Sequence, residues 1–253
     1  MKNILKKIKI DNTTYLLILL ALLAGYFKNV SIILLIVIIH EFGHVFFFKI
    51  FNIEIQSIVV YPFGGITTVN KKIHERIYKD VIISLGGIIF QLILIIIFFI
   101  FNEYNLIVKS TYDLFLFYNY NIIFFNLIPI IPLDGSKLYF AIFSKYLSFK
   151  CSYIIMIILS FISLIFFGVY NFIHGLNDII IYLFLIFKIY ECIKEYRYVI
   201  NKFYLERVMY NNYYDCIINN CSSLDKMMVN KYYFFKIGRR YINERDYILK
   251  NRY

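Results

Sequence analysis

The chain has 253 residues, 61% of them hydrophobic, with a mean hydropathy of +0.68. Soluble domains hold about 45–50% apolar residues, so the composition excludes an ordinary water-soluble domain and implies a polytopic membrane protein. The formal net charge of +11 does not signal nucleic-acid binding, because no nucleic-acid-binding motif accompanies it and its distribution follows a membrane topology.

Apolar runs predict spans over residues 13–27, 30–50, 82–101, 112–143 (broken), 151–170 and 177–190, several of them near the roughly 20 residues that cross a hydrocarbon core. The first is short, but no small-residue cleavage site follows it, so it reads as a retained span. With the N-terminus inside, the inner segments 1–12, 49–80, 137–150 and 188–253 hold 4, 5, 3 and 13 Lys and Arg residues. The outer loops hold Lys28 and Lys109 alone. This asymmetry puts both termini in the cytoplasm, and the inner basic charge favours anionic lipid headgroups. Cys151, Cys192, Cys216 and Cys221 form no C-x-x-C pair and lie on or near the reducing side.

The spans are interrupted twice. Ile53 to Val60 alternates in part, Tyr61-Pro62-Phe63-Gly64-Gly65 makes a turn, and Ile66 to Val69 is again rich in branched residues, a pattern of two strands forming a hairpin. Within the fourth span, Asn126-Leu127-Ile128-Pro129-Ile130-Ile131-Pro132-Leu133-Asp134-Gly135 cannot continue one regular helix. Broken backbone at membrane depth survives only where protein or a wet cavity satisfies it. The expected fold class is an all-α polytopic membrane protein with about six transmembrane helices and a short membrane-associated β-hairpin. Residues 1–200 would form the intramembrane domain and 201–253 a small cytoplasmic tail, too short for a large core.

The chemistry-bearing residues lie inside these apolar runs. His40 and His44 are spaced i, i+4 in His40-Glu41-Phe42-Gly43-His44, share one helical face and can ligate one metal ion. Glu41 can reach a water at that metal without being a ligand, and so act as its general base. The H-E-x-x-H pattern alone is weak; its place in a membrane span, where ionisable groups are costly, strengthens it. A catalytic zinc usually takes a third protein ligand. His174 falls in an outer loop and His74 in an inner linker. Asp134 is the better candidate: it precedes Lys145 by about 10 residues, as His44 and His40 precede Lys49 by about 5 and 9, so at about 1.5 Å per residue the depths match within several ångströms. The alternative for Asp134 is a helix cap. Carboxylate and imidazole ligands suit zinc without excluding other divalent metals.

H-E-F-G-H in an early span, then P-F-G-G, then N-L-I-P-I-I-P-L-D-G-S-K resembles the site-2 protease family (peptidase M50) of intramembrane metalloproteases, and within it the stage IV sporulation protein FB group of spore-forming bacteria. The resemblance covers about residues 1–200. It implies that His40, His44 and Asp134 hold Zn2+, that Glu41 is the catalytic base, and that Asn126 and the Pro62, Phe63, Gly64, Gly65 loop place substrate; for the two glycines a plain turn stands as the alternative. It also implies a multi-pass protein of the bacterial cell membrane, with the lipid bilayer, a membrane-associated protein substrate and membrane regulatory partners around it. That substrate would be a sporulation sigma-factor precursor, cleaved near the cytoplasmic leaflet. The third position of the usual D-G-G is Ser136 here. The nucleotide-sensing CBS domain of some members does not fit in 201–253, so ATP regulation is not expected. The competing reading is a non-proteolytic metal transporter or scaffold of the same fold. Glu41 argues against a scaffold, and the scarcity of polar residues along 82–101 and 151–170 argues against a transport path.

Overall fold

The protein is described by a computed structural model, over residues 8–10, 12–61, 64–70, 73, 76–171, 176–210, 214, 216–221, 223–238 and 240–252. The chain runs β1 (Ile8–Ile10), α1 (Asn12–Leu23), α2 (Phe27–Ile50), β2 (Glu54–Tyr61), β3 (Gly64–Asn70), α3 (Ile77–Glu103), α4 (Lys109–Leu127), α5 (Asp134–Tyr146), α6 (Phe149–Asn171) and α7 (Leu176–Met209). It ends in β4 (Cys216–Cys221), a 3-10 turn (Leu224–Lys226), β5 (Lys231–Ile237), β6 (Arg240–Asn243) and α8 (Glu244–Arg252). The chain divides into two compact units, residues 1–71 with 82–126, and residues 72–81 with 127–253.

In the first unit, α2 has 24 residues and α3 has 27. Ile32 and Ile36 of α2 meet Leu94 of α3 and Phe115 of α4 in a core where Phe115 stacks on Phe98 at 3.8 Å. Asn52, at φ 54°, turns the chain out of α2, a left-handed conformation that Asn tolerates. The expected hairpin is present: β2 and β3 pair antiparallel from Tyr61↔Gly64 to Glu54↔Asn70, with a shift of register between Ile55 and Ser57. Ile53 and Ile55 face the buried side with Phe48 and Ile83, which fixes the sheet's register, since a slip of one residue would turn that pair outward. Residues 8–10, in the basic segment 1–12, add β1 parallel to β2.

In the second unit, α5 follows the interrupted segment 128–133, in which Ile131–Pro132 is a cis peptide. Ser160 of α6 satisfies this segment. Its hydroxyl accepts the Ile131 N–H at 3.2 Å and lies 3.2 Å from the Pro129 carbonyl and 2.7 Å from that of Met156. Helix α7 has 34 residues, well beyond the span expected to end at 190, because Lys188, Glu191, Lys194, Glu195 and Arg197 are good helix formers that end a hydrophobic run without ending a helix. Its last turns enter a folded C-terminal subdomain, so position 200/201 lies within a helix. There Phe149, Phe203, Tyr204, Met227, Tyr233, Phe235 and Ile248 form a core under a sheet in which β4 pairs parallel and β6 antiparallel to β5. Arg207, inside this core, is 2.7 Å from Glu244, whose carboxylate also accepts the Tyr214 hydroxyl and the Tyr233 N–H.

Among the described residues the chain is thus mostly helical with two small three-stranded sheets rather than all-α with one hairpin. Among the described residues three helices are long and apolar enough to cross a membrane: Phe27–Ile50, Ile77–Glu103 and Phe149–Val169. Their exposed faces carry Leu35, Ile38, Ile96, Ile100, Ile158 and Ile165, surfaces suited to lipid and not to water. This is an integral membrane protein.

Candidate metal centre

The first unit builds its polar centre where α2 crosses α3. Gly43 and Gly86 make the crossing close: a Cβ on Gly43 would lie 2.3 Å from the Gly86 carbonyl oxygen. Glycine costs a helix interior about 0.5–1 kcal/mol, and small residues at membrane helix contacts repay this by letting backbones approach. One residue on, Gly87 leaves room for an imidazole, since a Cβ there would sit 2.4 Å from His40 Cε1 and 2.5 Å from Nδ1.

His40 and His44 are 4% and 6% exposed. Each is held at Nδ1. His44 Nδ1 is 2.8 Å from the Ile83 main-chain carbonyl, which can only accept, so Nδ1 carries the hydrogen. His40 Nδ1 is 2.9 Å from Gln91 Oε1, also an acceptor. Each Nε2 then presents a lone pair, and the two atoms lie 3.1 Å apart. Neutral imidazoles, each donating its other N–H to a carbonyl and offering Nε2, are the form in which histidine ligates zinc, so the residues fit a divalent cation. Glu41, half-buried, follows His40 on α2.

Gln91 extends this arrangement. It is completely buried, as is Asn119 of α4. Gln91 Nε2 donates to Asn119 Oδ1 at 3.1 Å, and Asn119 Nδ2 donates to the Gln91 carbonyl at 3.4 Å. Sequence reasoning assigned neither residue to the site. Their signal is a carboxamide in each of two apolar runs.

In the second unit Asp134 is the first residue of α5 and 6% exposed. Leu133 holds the N-cap position, without a side-chain cap bond. Its Oδ1 accepts Lys137 Nζ at 2.9 Å. Gly135 is required beside it, because a Cβ there would lie 2.4 Å and 2.5 Å from the carbonyl oxygens of Leu127 and Ile128. Ser136, buried, donates its hydroxyl to the Leu133 carbonyl at 2.7 Å. In the first unit, Asn126 donates its amide to the Ile122 carbonyl of its own helix at 3.0 Å. Gly64 and Gly65 open β3, paired with Tyr61 and Val60. Pro62, Phe63, His74 and His174 lie outside the described residues.

Comparison with known proteins matches this arrangement to a family. Residues 28–107 and 102–169 match the model of peptidase family M50. The chain is 34% identical over 148 residues to stage IV sporulation protein FB of Bacillus subtilis, covering 58% of this chain and 51% of that protein. It is 30% identical over 114 residues to a zinc metalloprotease of Methanocaldococcus jannaschii, covering 43% of this chain and 32% of that protein. The chain therefore spans about half the length of the first of these relatives and about a third of the second. Among solved structures, the fold is similar to a site-2 protease from Methanocaldococcus jannaschii with a TM-score of 0.58 and 22% identity, over 73% of this chain and 89% of that one; at that identity the likeness concerns the fold. The family model covers both H-E-F-G-H and the L-D-G-S segment, and the chain belongs to peptidase family M50.

Proposed function

We propose that the protein is an intramembrane zinc endopeptidase that cuts a membrane-associated protein near the cytoplasmic leaflet. The observation that carries this reading is the buried pair His40 and His44, their Nε2 atoms 3.1 Å apart and each imidazole backed by an acceptor at Nδ1. Asp134 is the proposed third ligand. His40, His44 and Asp134 each offer one ligand atom, and the set could hold a metal ion. Two nitrogens and one carboxylate oxygen are a donor set of catalytic zinc sites, which keep a further position open.

When bound, zinc acts as a Lewis acid and brings the pKa of a water towards about 7. Glu41, next to His40 on the same helix, takes the proton of the attacking water and returns it to the leaving amine. Asn126 would accept a substrate N–H at its carboxamide oxygen, and the Pro62–Gly65 segment would help place the extended substrate. A helical substrate has its carbonyls already bonded, so it must unwind before attack. The name of the Bacillus subtilis relative, a sporulation protein, supports a sporulation sigma-factor precursor as the substrate. The charge asymmetry supports cytoplasmic termini, which reporter fusions at either end would check; a C-terminal fusion active only outside the cell would exclude that topology.

Replacing Glu41 with Gln tests the mechanism. The variant keeps wild-type zinc content and loses cleavage of a co-expressed membrane-tethered substrate by at least the 10²–10⁴-fold or so typical of a general base. Full activity in Glu41→Gln sinks the proposal. Metal-dependent uptake into liposomes without any peptide cleavage would favour a transporter instead.

A further inference from the structure

We propose that Gln91 and Asn119 are positioning residues for the zinc centre, a directional pair of carboxamides that sets the tautomer and the aim of His40. The inference rests on the reading of His40 as a zinc ligand and adds two residues to it. It begins from spacing: Gly87 and Gln91 are one turn apart on α3 and so share a face. The first makes room for the imidazole and the second bonds it.

The direction of every bond in the chain follows from one end that cannot reverse. The Gln91 main-chain carbonyl can only accept, so the Asn119 group 3.4 Å from it is the NH2. That leaves Asn119 Oδ1 against Gln91, whose facing group, at 3.1 Å, must be its own NH2. The Gln91 oxygen is then the atom 2.9 Å from His40 Nδ1, and Nδ1 must carry the hydrogen. A reversed Gln91 would set oxygen against oxygen at Asn119. With Gln91 and Asn119 both at 0% exposure and His40 at 4%, water does not supply an alternative partner at low cost.

The two histidines differ in what holds them. The tautomer of His44 is fixed by a main-chain carbonyl, which no substitution removes. That of His40 depends on two side chains from two other helices. A group bonded behind a ligating histidine typically governs metal affinity by about 10–100-fold, so His40 is the ligand whose strength this protein can tune through residues that never touch metal.

The experiment uses the full chain purified in detergent, with zinc affinity measured by competition against a chromophoric chelator and geometry read from the visible spectrum of the cobalt-loaded protein. Gln91→Met, close in volume, should weaken zinc by about 10–100-fold and shift the cobalt bands. Gln91→Glu, held as the neutral acid by its burial, keeps an acceptor for Nδ1 and a donor for Asn119 and should restore affinity to within a few-fold of wild type. Asn119→Leu should weaken zinc less than Gln91→Met does. The double variant should be no weaker than Gln91→Met alone, as expected for residues acting through one chain of bonds. If Gln91→Met does not fold, the 15N resonances of His40 in the zinc-loaded wild type decide: a hydrogen on Nδ1 is expected, and one on Nε2 overturns the proposal. A wild type that holds no zinc overturns both this inference and the function proposed above. A wild type that holds zinc while folded Gln91→Met holds it as tightly overturns this inference alone.

Discussion

Replacing Gly43 with Ala adds one methyl group at the tightest point of the α2–α3 crossing. The new Cβ would lie 2.3 Å from the Gly86 carbonyl oxygen, 2.7 Å from its carbon and 3.1 Å from Gly87 Cα. All three are backbone atoms and cannot rotate away. Carbon contacts begin near 3.5 Å, so the two helices must part by about 1 Å. The same displacement acts on the two bonds that span the crossing, His40 Nδ1 to Gln91 at 2.9 Å and His44 Nδ1 to the Ile83 carbonyl at 2.8 Å, and carries both past the roughly 3.5 Å at which a hydrogen bond ceases. Overpacking costs about 1–3 kcal/mol and the loss of two buried bonds about 1 kcal/mol each, so the fold should lose about 3–5 kcal/mol. With both imidazoles freed at Nδ1, zinc affinity should fall by about 10²–10⁴-fold. Chelator competition measures the affinity, and thermal unfolding in detergent measures the stability. Ile38→Ala is the control, because Ile38 lies on the same helix at 61% exposure and should change neither. A Gly43→Ala protein with wild-type stability and zinc affinity within about threefold of wild type would refute the argument that this close approach holds the imidazoles in place.

Two further outcomes are expected. Arg207→Met leaves Glu244, at 1% exposure, buried without its cation, and should cost about 3–5 kcal/mol in the C-terminal subdomain, whereas Arg207→Met with Glu244→Leu should recover most of that loss; hydrogen exchange of β5 amides would report both. Removing zinc from wild type with a chelator should lower the unfolding midpoint, because a ligand at about 100 times its Kd adds about 2.7 kcal/mol to the folded state. The midpoint of His40→Ala should not respond to the chelator.

What the sequence disclosed depended on whether a signal was local. His40, Glu41 and His44 are legible because helical spacing alone puts the two histidines on one face. The interruption at Pro129 and Pro132 is legible because proline removes a donor wherever it stands. The hairpin is legible from its turn residues and alternation. Gln91 and Asn119 were visible as polar residues, but their role depends on which face of α3 meets which face of α4, and no spacing within one helix encodes that. Gly43 and Gly86 share this limit: each reads as a small helix cost until the other backbone is seen against it. The sheet of the C-terminal subdomain was lost for a compositional reason. Tyr232-Tyr233-Phe234-Phe235 has the aromatic content of a strand, but with 25 Tyr and 27 Phe in the chain aromatic residues carry little contrast. The three residues of β1 were masked by the lysines around them.

Helix α7 has a mechanical meaning. Its 34 residues make a rod of about 51 Å at 1.5 Å per residue, against about 30 Å of hydrocarbon. Ile200, Phe203, Tyr204 and Arg207 on its last turns are themselves core residues of the C-terminal subdomain, so that subdomain is bolted to the rod instead of hanging from a tether. One residue inserted near the middle of the rod would swing the subdomain by about 100° around the helix axis, while four would restore its bearing to within about 40° and lift it by about 6 Å. A flexible tether would absorb either insertion; here phase along the helix becomes the heading of the subdomain.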